Sequence, residues 1–104
     1  MNPNPPNANS INPVFPGGAT ALQRYVQQET RQVATTASGT VFVQFVVNAD
    51  GTIGDPVILK GLDVEADQEA IRVVVNMPAW IPGTANGGEA RFTFVLPIDF
   101  AERV

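Results

Sequence analysis

Residues 40–47 alternate with a period of two, and the strand they describe is apolar on both sides. Val41, Val43, Phe45 and Val47 make one uninterrupted face, while Thr40, Phe42, Gln44 and Val46 make a mixed one. A strand that can be buried on both faces belongs in the middle of a sheet. The rest of the chain must therefore supply two edge strands and a cover. Asn48-Ala49-Asp50-Gly51 follows as a hairpin turn, with Gly51 free to adopt the positive φ such turns need. A second strand over residues 52–60 places Ile53, Val57 and Leu59 in register, interrupted by Pro56. Proline cannot donate to a ladder, so this strand is expected at an edge, or with a bulge there.

Two helical patterns flank this hairpin. After the Pro16-Gly17-Gly18 turn, Ala21, Leu22, Tyr25 and Val26 recur at helical spacing, and the pattern fades by Thr30. A loop is expected at residues 35–39. The second helix is predicted over residues 65–76, with Ala66, Ala70, Ile71, Val74 and Met77 as its buried stripe. The β-branched run Val73-Val74-Val75 opposes helix, but residues 66–72 have strong helical propensity. Pro78-Ala79-Trp80-Ile81-Pro82-Gly83 is read as irregular, and Asn86-Gly87-Gly88 as a turn. The final strand, over residues 89–98, alternates Ala90, Phe92, Phe94, Leu96 and Ile98 against Arg91, Thr93, Val95 and Pro97.

The expected fold is α+β in the order α-β-β-α-β, with two helices packed on one face of a three-stranded antiparallel sheet. A helix crossing over the first strand gives strand order 2-1-3. The first strand is then central, and the last strand is an open edge with no proline until Pro97. Residues 1–13 hold four Pro and five Asn and little to bury. They are read as a flexible linker, and residues 14–104 as the domain.

Composition excludes several functions. With 104 residues the chain is one domain. It contains no cysteine and no histidine, so disulfides, Cys/His zinc sites, thiol nucleophiles and histidine acid–base catalysis are ruled out. A net charge of -4 makes nucleic acid a poor partner. No segment has the ~18 consecutive apolar residues of a membrane span. The amino terminus lacks the basic and apolar regions of a signal peptide. That leaves either a cytosolic chain or a domain whose targeting segment lies upstream.

Four acids crowd the second helix, with Asp63/Asp67 and Glu65/Glu69 spaced four apart. They sit in the first turns of the helix, so the expected role is favourable interaction with the helix dipole rather than acid–base catalysis. They do not match the spacing of a calcium loop. No catalytic residue, cofactor or metal is expected, and the chain is not read as an enzyme. Trp80 is expected in the core or as a lid. The open last strand carries the functional content: it can accept a peptide as an added strand, be covered by the loop before it, or pair with a second copy.

The ordered part of the chain resembles the TonB carboxy-terminal domain. The resemblance rests on Phe15-Pro16-Gly17-Gly18, on Gly39-Thr40-Val41-Phe42-Val43-Gln44-Phe45-Val46-Val47 with Asn48-Ala49-Asp50-Gly51, and on Glu69-Ala70-Ile71-Arg72-Val73-Val74. Met77-Pro78-Ala79-Trp80-Ile81-Pro82-Gly83, Asn86-Gly87 and Leu96-Pro97-Ile98-Asp99-Phe100 complete it. The Phe-Pro-Gly-Gly start looks like that of Bacteroidetes-type members. The resemblance implies the periplasmic module of an energy transducer, joined by a Pro-rich linker to an inner-membrane anchor. Such a module grips the Ton box of outer-membrane receptors as a strand added to its last strand. Carried over, the backbone of Arg91, Phe92, Thr93, Phe94 and Val95 would grip the peptide. The family's Tyr-Pro receptor-contact positions are occupied here by Gln32 and Val33, in a loop about four residues short. Two alternatives stay open: a TonB-like domain repurposed for another protein partner, and a homodimer formed through the last strand.

Overall fold

In the computed structural model, which describes residues 10–30 and 38–100, seven elements follow one another. They are α1 (Gly18–Thr30), β1 (Gly39–Val47), β2 (Ile53–Lys60), α2 (Val64–Val75), β3 (Gly83–Ala85), β4 (Gly88–Ala90) and β5 (Phe92–Phe100). β1, β2 and β5 form an antiparallel sheet in the order β2-β1-β5. This is the expected α+β architecture, with the first strand in the centre. β3 and β4 form a separate two-stranded ribbon.

The core lies between this sheet and the helices. Val41, Val43, Phe45 and Val47 are almost wholly buried, as the period-two pattern requires. α2 lies over β1 and β2, and its small Ala66 and Ala70 let the helix approach the sheet while Val73 and Val74 fill the space between. Each buried Val or Ile stabilises the fold by about 1.5–3 kcal/mol. The helix starts where Asp63 accepts a hydrogen bond from the Ala66 N–H at 2.8 Å, a side-chain N-cap.

α1 is held differently. Its apolar residues Ala21, Leu22, Tyr25 and Val26 are only partly buried, and its main neighbour is α2 rather than the sheet. The Tyr25 hydroxyl donates to the Val73 carbonyl at 2.8 Å. The Arg72 guanidinium donates to the Glu29 carbonyl at 3.1 Å and pairs with the Glu29 and Glu69 carboxylates. Burial pushes the Tyr25 phenol above its usual pKa, and nearby Glu29 adds to the shift. Because the folded state holds this proton more tightly than the unfolded chain, the contribution is present below pH ~10 and is lost as pH rises further. Tyr25→Phe is expected to lose about 1 kcal/mol at neutral pH and to flatten the stability loss above pH ~10. Urea unfolding at two pH values measures both.

Two expectations about strands are corrected. β2 does not keep one phase from Ile53 to Leu59. Its register against β1 shifts twice, between Gln44 and Val46 and between Phe42 and Val43. The first shift coincides with Asp55, a non-glycine residue at φ +52, beside Pro56. Each extra residue reverses the pleat. As a result Ile53 and Ile58 pack on the core while Val57 and Leu59 stay 46% and 52% exposed. The strand expected over residues 89–98 is also divided. Asn86 and Gly87, both at positive φ, close a two-residue hairpin that pairs β4 with β3. β5 begins only after Arg91.

At the amino-terminal end of the described residues, backbone pairing begins at Ile11. Ile11 exchanges backbone hydrogen bonds with Thr84, and Val14 with Ile81, so the amino-terminal segment lies antiparallel along residues 81–84. Gly83 permits this approach, since a Cβ there would meet the Ile11 carbonyl at 2.6 Å and Pro13 at 2.7 Å. Residues 1–9 of the expected linker lie outside the described residues.

The β1–β2 turn is locked onto the same region. The Trp80 N–H donates to the Gly51 carbonyl at 2.8 Å. Gly51 sits at φ +91, and a Cβ there would collide with the Trp80 carbonyl. Gly51→Ala is therefore expected to cost about 2–3 kcal/mol in urea unfolding. A cost below about 0.5 kcal/mol would contradict this packing.

Candidate functional site

Pro97 fixes which way the backbone of β5 points. β5 pairs with β1 without a break from Phe92↔Val47 to Phe100↔Gly39, straight through Pro97↔Phe42. In an antiparallel pair, residues alternate between hydrogen-bonded and non-hydrogen-bonded positions. Proline has no N–H to give, so an unbroken ladder requires Pro97 at a non-hydrogen-bonded position. Residues of the same parity then turn their backbone groups away from β1. Thr93, Val95 and Asp99 each present an N–H and a carbonyl to the outer edge, and Pro97 presents a carbonyl. Among the described residues, β5 has no strand on that side.

Side chains sort the same way. Phe94 and Leu96 pack against the core, and Ile98 and Phe100 are buried. Thr93, Val95, Pro97 and Asp99 are exposed. The Thr40 hydroxyl donates to Asp99 at 2.7 Å, tying the far end of β5 to the start of β1.

Beside this edge runs a trough. Since α1 leans on α2, space remains between α1 and β5. One cavity of about 360 Å³ is lined by Phe15, Leu22, Phe45, Trp80 and β5 residues 94–96, among others. A second of about 440 Å³ is lined by Val26, Gln27, Thr30, Leu96, Pro97 and Asp99, among others. Ala19, Leu22 and Leu96 border both.

The residues expected to grip a partner through their backbone divide by parity. Thr93 and Val95 face the open edge. Phe92 and Phe94 have theirs directed to Val47 and Phe45, where they hold β5 in the sheet. Arg91 precedes the strand, and its guanidinium stands 3.8 Å from the Asp55 carboxylate. Gln32 and Val33 lie outside the described residues. Asp99 and Pro97 were missed as edge residues, although the position of Pro97 was signal enough to find them. Leu22 was read as core stripe, yet it also walls the trough.

The helix acids have structural work. Asp63 caps α2, Asp67 accepts from the Leu62 N–H at 2.9 Å, and Glu69 pairs with Arg72. Among the described residues no group of three or more acids, cysteines or histidines could hold a metal. No helix among them is long and apolar enough to cross a membrane. Trp80 is in the core, 6% exposed.

A family model described as the Gram-negative bacterial TonB protein C-terminal matches residues 27–101. The chain belongs to the TonB C-terminal family. No curated protein and no solved structure matches it. In this TonB C-terminal domain the matched stretch takes in the whole three-stranded sheet, α2 and the segment around Trp80, and leaves Phe15-Pro16-Gly17-Gly18 outside. TonB C-terminal domains are protein-interaction domains that serve energy transduction for transport and meet outer-membrane receptors.

Proposed function

We propose that this domain works in the periplasm as the receptor-binding end of a TonB-type energy transducer, gripping the Ton box of an outer-membrane receptor as a strand added to β5. The observation that carries the reading is the outward row of backbone groups at Thr93, Val95, Pro97 and Asp99. A peptide added there gains main-chain hydrogen bonds whatever its side chains. Several such bonds in one ladder also share a pull, which suits the transmission of force.

The absence of cysteine from the chain makes a clean cross-linking test possible. Val95→Cys places a single thiol on the strand without disturbing the core. Single cysteines are then walked along the amino-terminal segment of a TonB-dependent receptor from the same organism. Disulfides are expected at alternate receptor positions, the signature of a paired strand. Uniform or absent cross-linking would contradict strand addition. A second copy of the chain would compete for the same edge, and a disulfide joining two chains that carry Val95→Cys in the receptor-free protein would favour that reading.

A further inference from the structure

Resting on strand addition at β5, we propose that residues 11–15 are a latch coupled to that edge. Closed, the latch strengthens the grip on an added strand; a pull on the chain ahead of Ile11 opens it and lets the strand go.

The latch is light at its outer end and anchored at its inner one. Four backbone hydrogen bonds hold it, two between Ile11 and Thr84 and two between Val14 and Ile81. Side chains add little there, since Ile11 is 65% and Val14 42% exposed. A segment with few buried apolar contacts opens before the core does. Phe15 differs: it is buried, and its ring meets Trp80 edge-on at 5.7 Å. Trp80 in turn lies 5.4 Å from Phe94 of β5. A pull from the amino-terminal side therefore strips residues 11–14 first, and then bears on the ring that props Trp80 against the edge strand.

The latch and the edge also share a space. Pro13, Val14 and Phe15 wall the cavity of about 360 Å³ together with β5 residues 94–96. A residue added opposite Phe94 puts its side chain on the same face as Phe94, toward that cavity. There it packs against Val14 and Phe15, so the strand loses contacts when the latch opens, and the latch loses contacts when the strand leaves. Such coupling is reciprocal: each raises the affinity of the other by the same factor.

Backbone amide exchange of the full chain, with and without a saturating Ton-box peptide from a receptor of the same organism, tests this. The Ile11, Val14, Ile81 and Thr84 amides all belong to the latch, and none lies on β5. Their exchange is expected to slow about tenfold with peptide bound. Two variants open the latch from its two sides. Ile11→Pro removes one donor and puts a ring where the Thr84 carbonyl sits. Gly83→Ala places a Cβ 2.6 Å from the Ile11 carbonyl. Neither residue lines the cavity, so neither change removes a contact to the added strand. Each variant is expected to bind the peptide about tenfold more weakly, with protected Phe94 and Leu96 amides showing that the sheet is intact. Latch amides that exchange as fast or faster with peptide bound would overturn the coupling, as would variants that bind like the unaltered chain. In both cases shifts at Thr93 and Val95 would leave strand addition standing. Peptides that leave the Thr93 and Val95 amides unmoved would remove strand addition, and this inference with it.

Discussion

Thr93→Pro is expected to abolish binding of an added strand, by about a hundredfold or more, while leaving the domain folded. The Thr93 N–H points away from β1, so its loss removes no bond within the sheet. Its side chain is exposed, so the proline ring meets no core packing. Pro97 already occupies a position of the same parity, four residues along the strand, in an unbroken ladder. The new ring would stand on the outer edge, deleting a donor and blocking close approach. Phe94→Pro is the control. It removes an N–H directed at Phe45 and disrupts a side chain packed on the core, and should cost about 3 kcal/mol or more. A Thr93→Pro protein that unfolds would show that the edge was assigned backwards.

Trp80→Ala is expected to destabilise the domain by about 3–5 kcal/mol, a large share of what a domain of this size has. The indole sits among three aromatic rings, with centroids 5.7 Å from Phe15, 5.9 Å from Phe45 and 5.4 Å from Phe94. It thereby joins the amino-terminal segment, the central strand and the edge strand. Its Nε1–H is buried without a hydrogen-bond partner among the described residues. Trp80→Phe removes that unsatisfied donor and should cost less than about 1.5 kcal/mol. Circular dichroism is the suitable readout, because the chain has one tryptophan and the variants lose its fluorescence. A cost below about 1 kcal/mol for Trp80→Ala would show that the cavity collapses or that the ring is not part of the core.

How much of this was legible in the sequence depends on how local the cause was. The central place of β1 followed from apolar residues on both faces, and the helices from their stripes, because these patterns are forced by burial. The phase of β2 was not legible. Pro56 announced an irregularity, but whether a bulge reverses the pleat depends on which β1 residue it meets. The division at Arg91 was missed for a related reason: residues 88–90 alternate well enough to continue a strand, and only the hairpin with residues 83–85 takes them elsewhere. Ile11 and Val14 are isolated in an Asn/Pro segment, so no periodicity revealed that they pair with Thr84 and Ile81. The outward parity of Thr93 and Val95 was available in principle, since Pro97 dictates it once β5 is placed beside β1. The trough was not available, because it arises from how α1 leans on α2 through Tyr25 and Arg72.

The central claim is that the outer edge of β5 receives a strand, and an amide NMR titration with Ton-box peptides, combined with hydrogen exchange, tests it most directly. In the free domain, the Phe94, Leu96 and Ile98 amides should be protected and the Thr93, Val95 and Asp99 amides should exchange fast. On saturation with peptide, the second group should shift and gain protection. Peptide binding that leaves those three amides exchanging freely would contradict the account, as would a free domain, monomeric in solution, in which they are already protected.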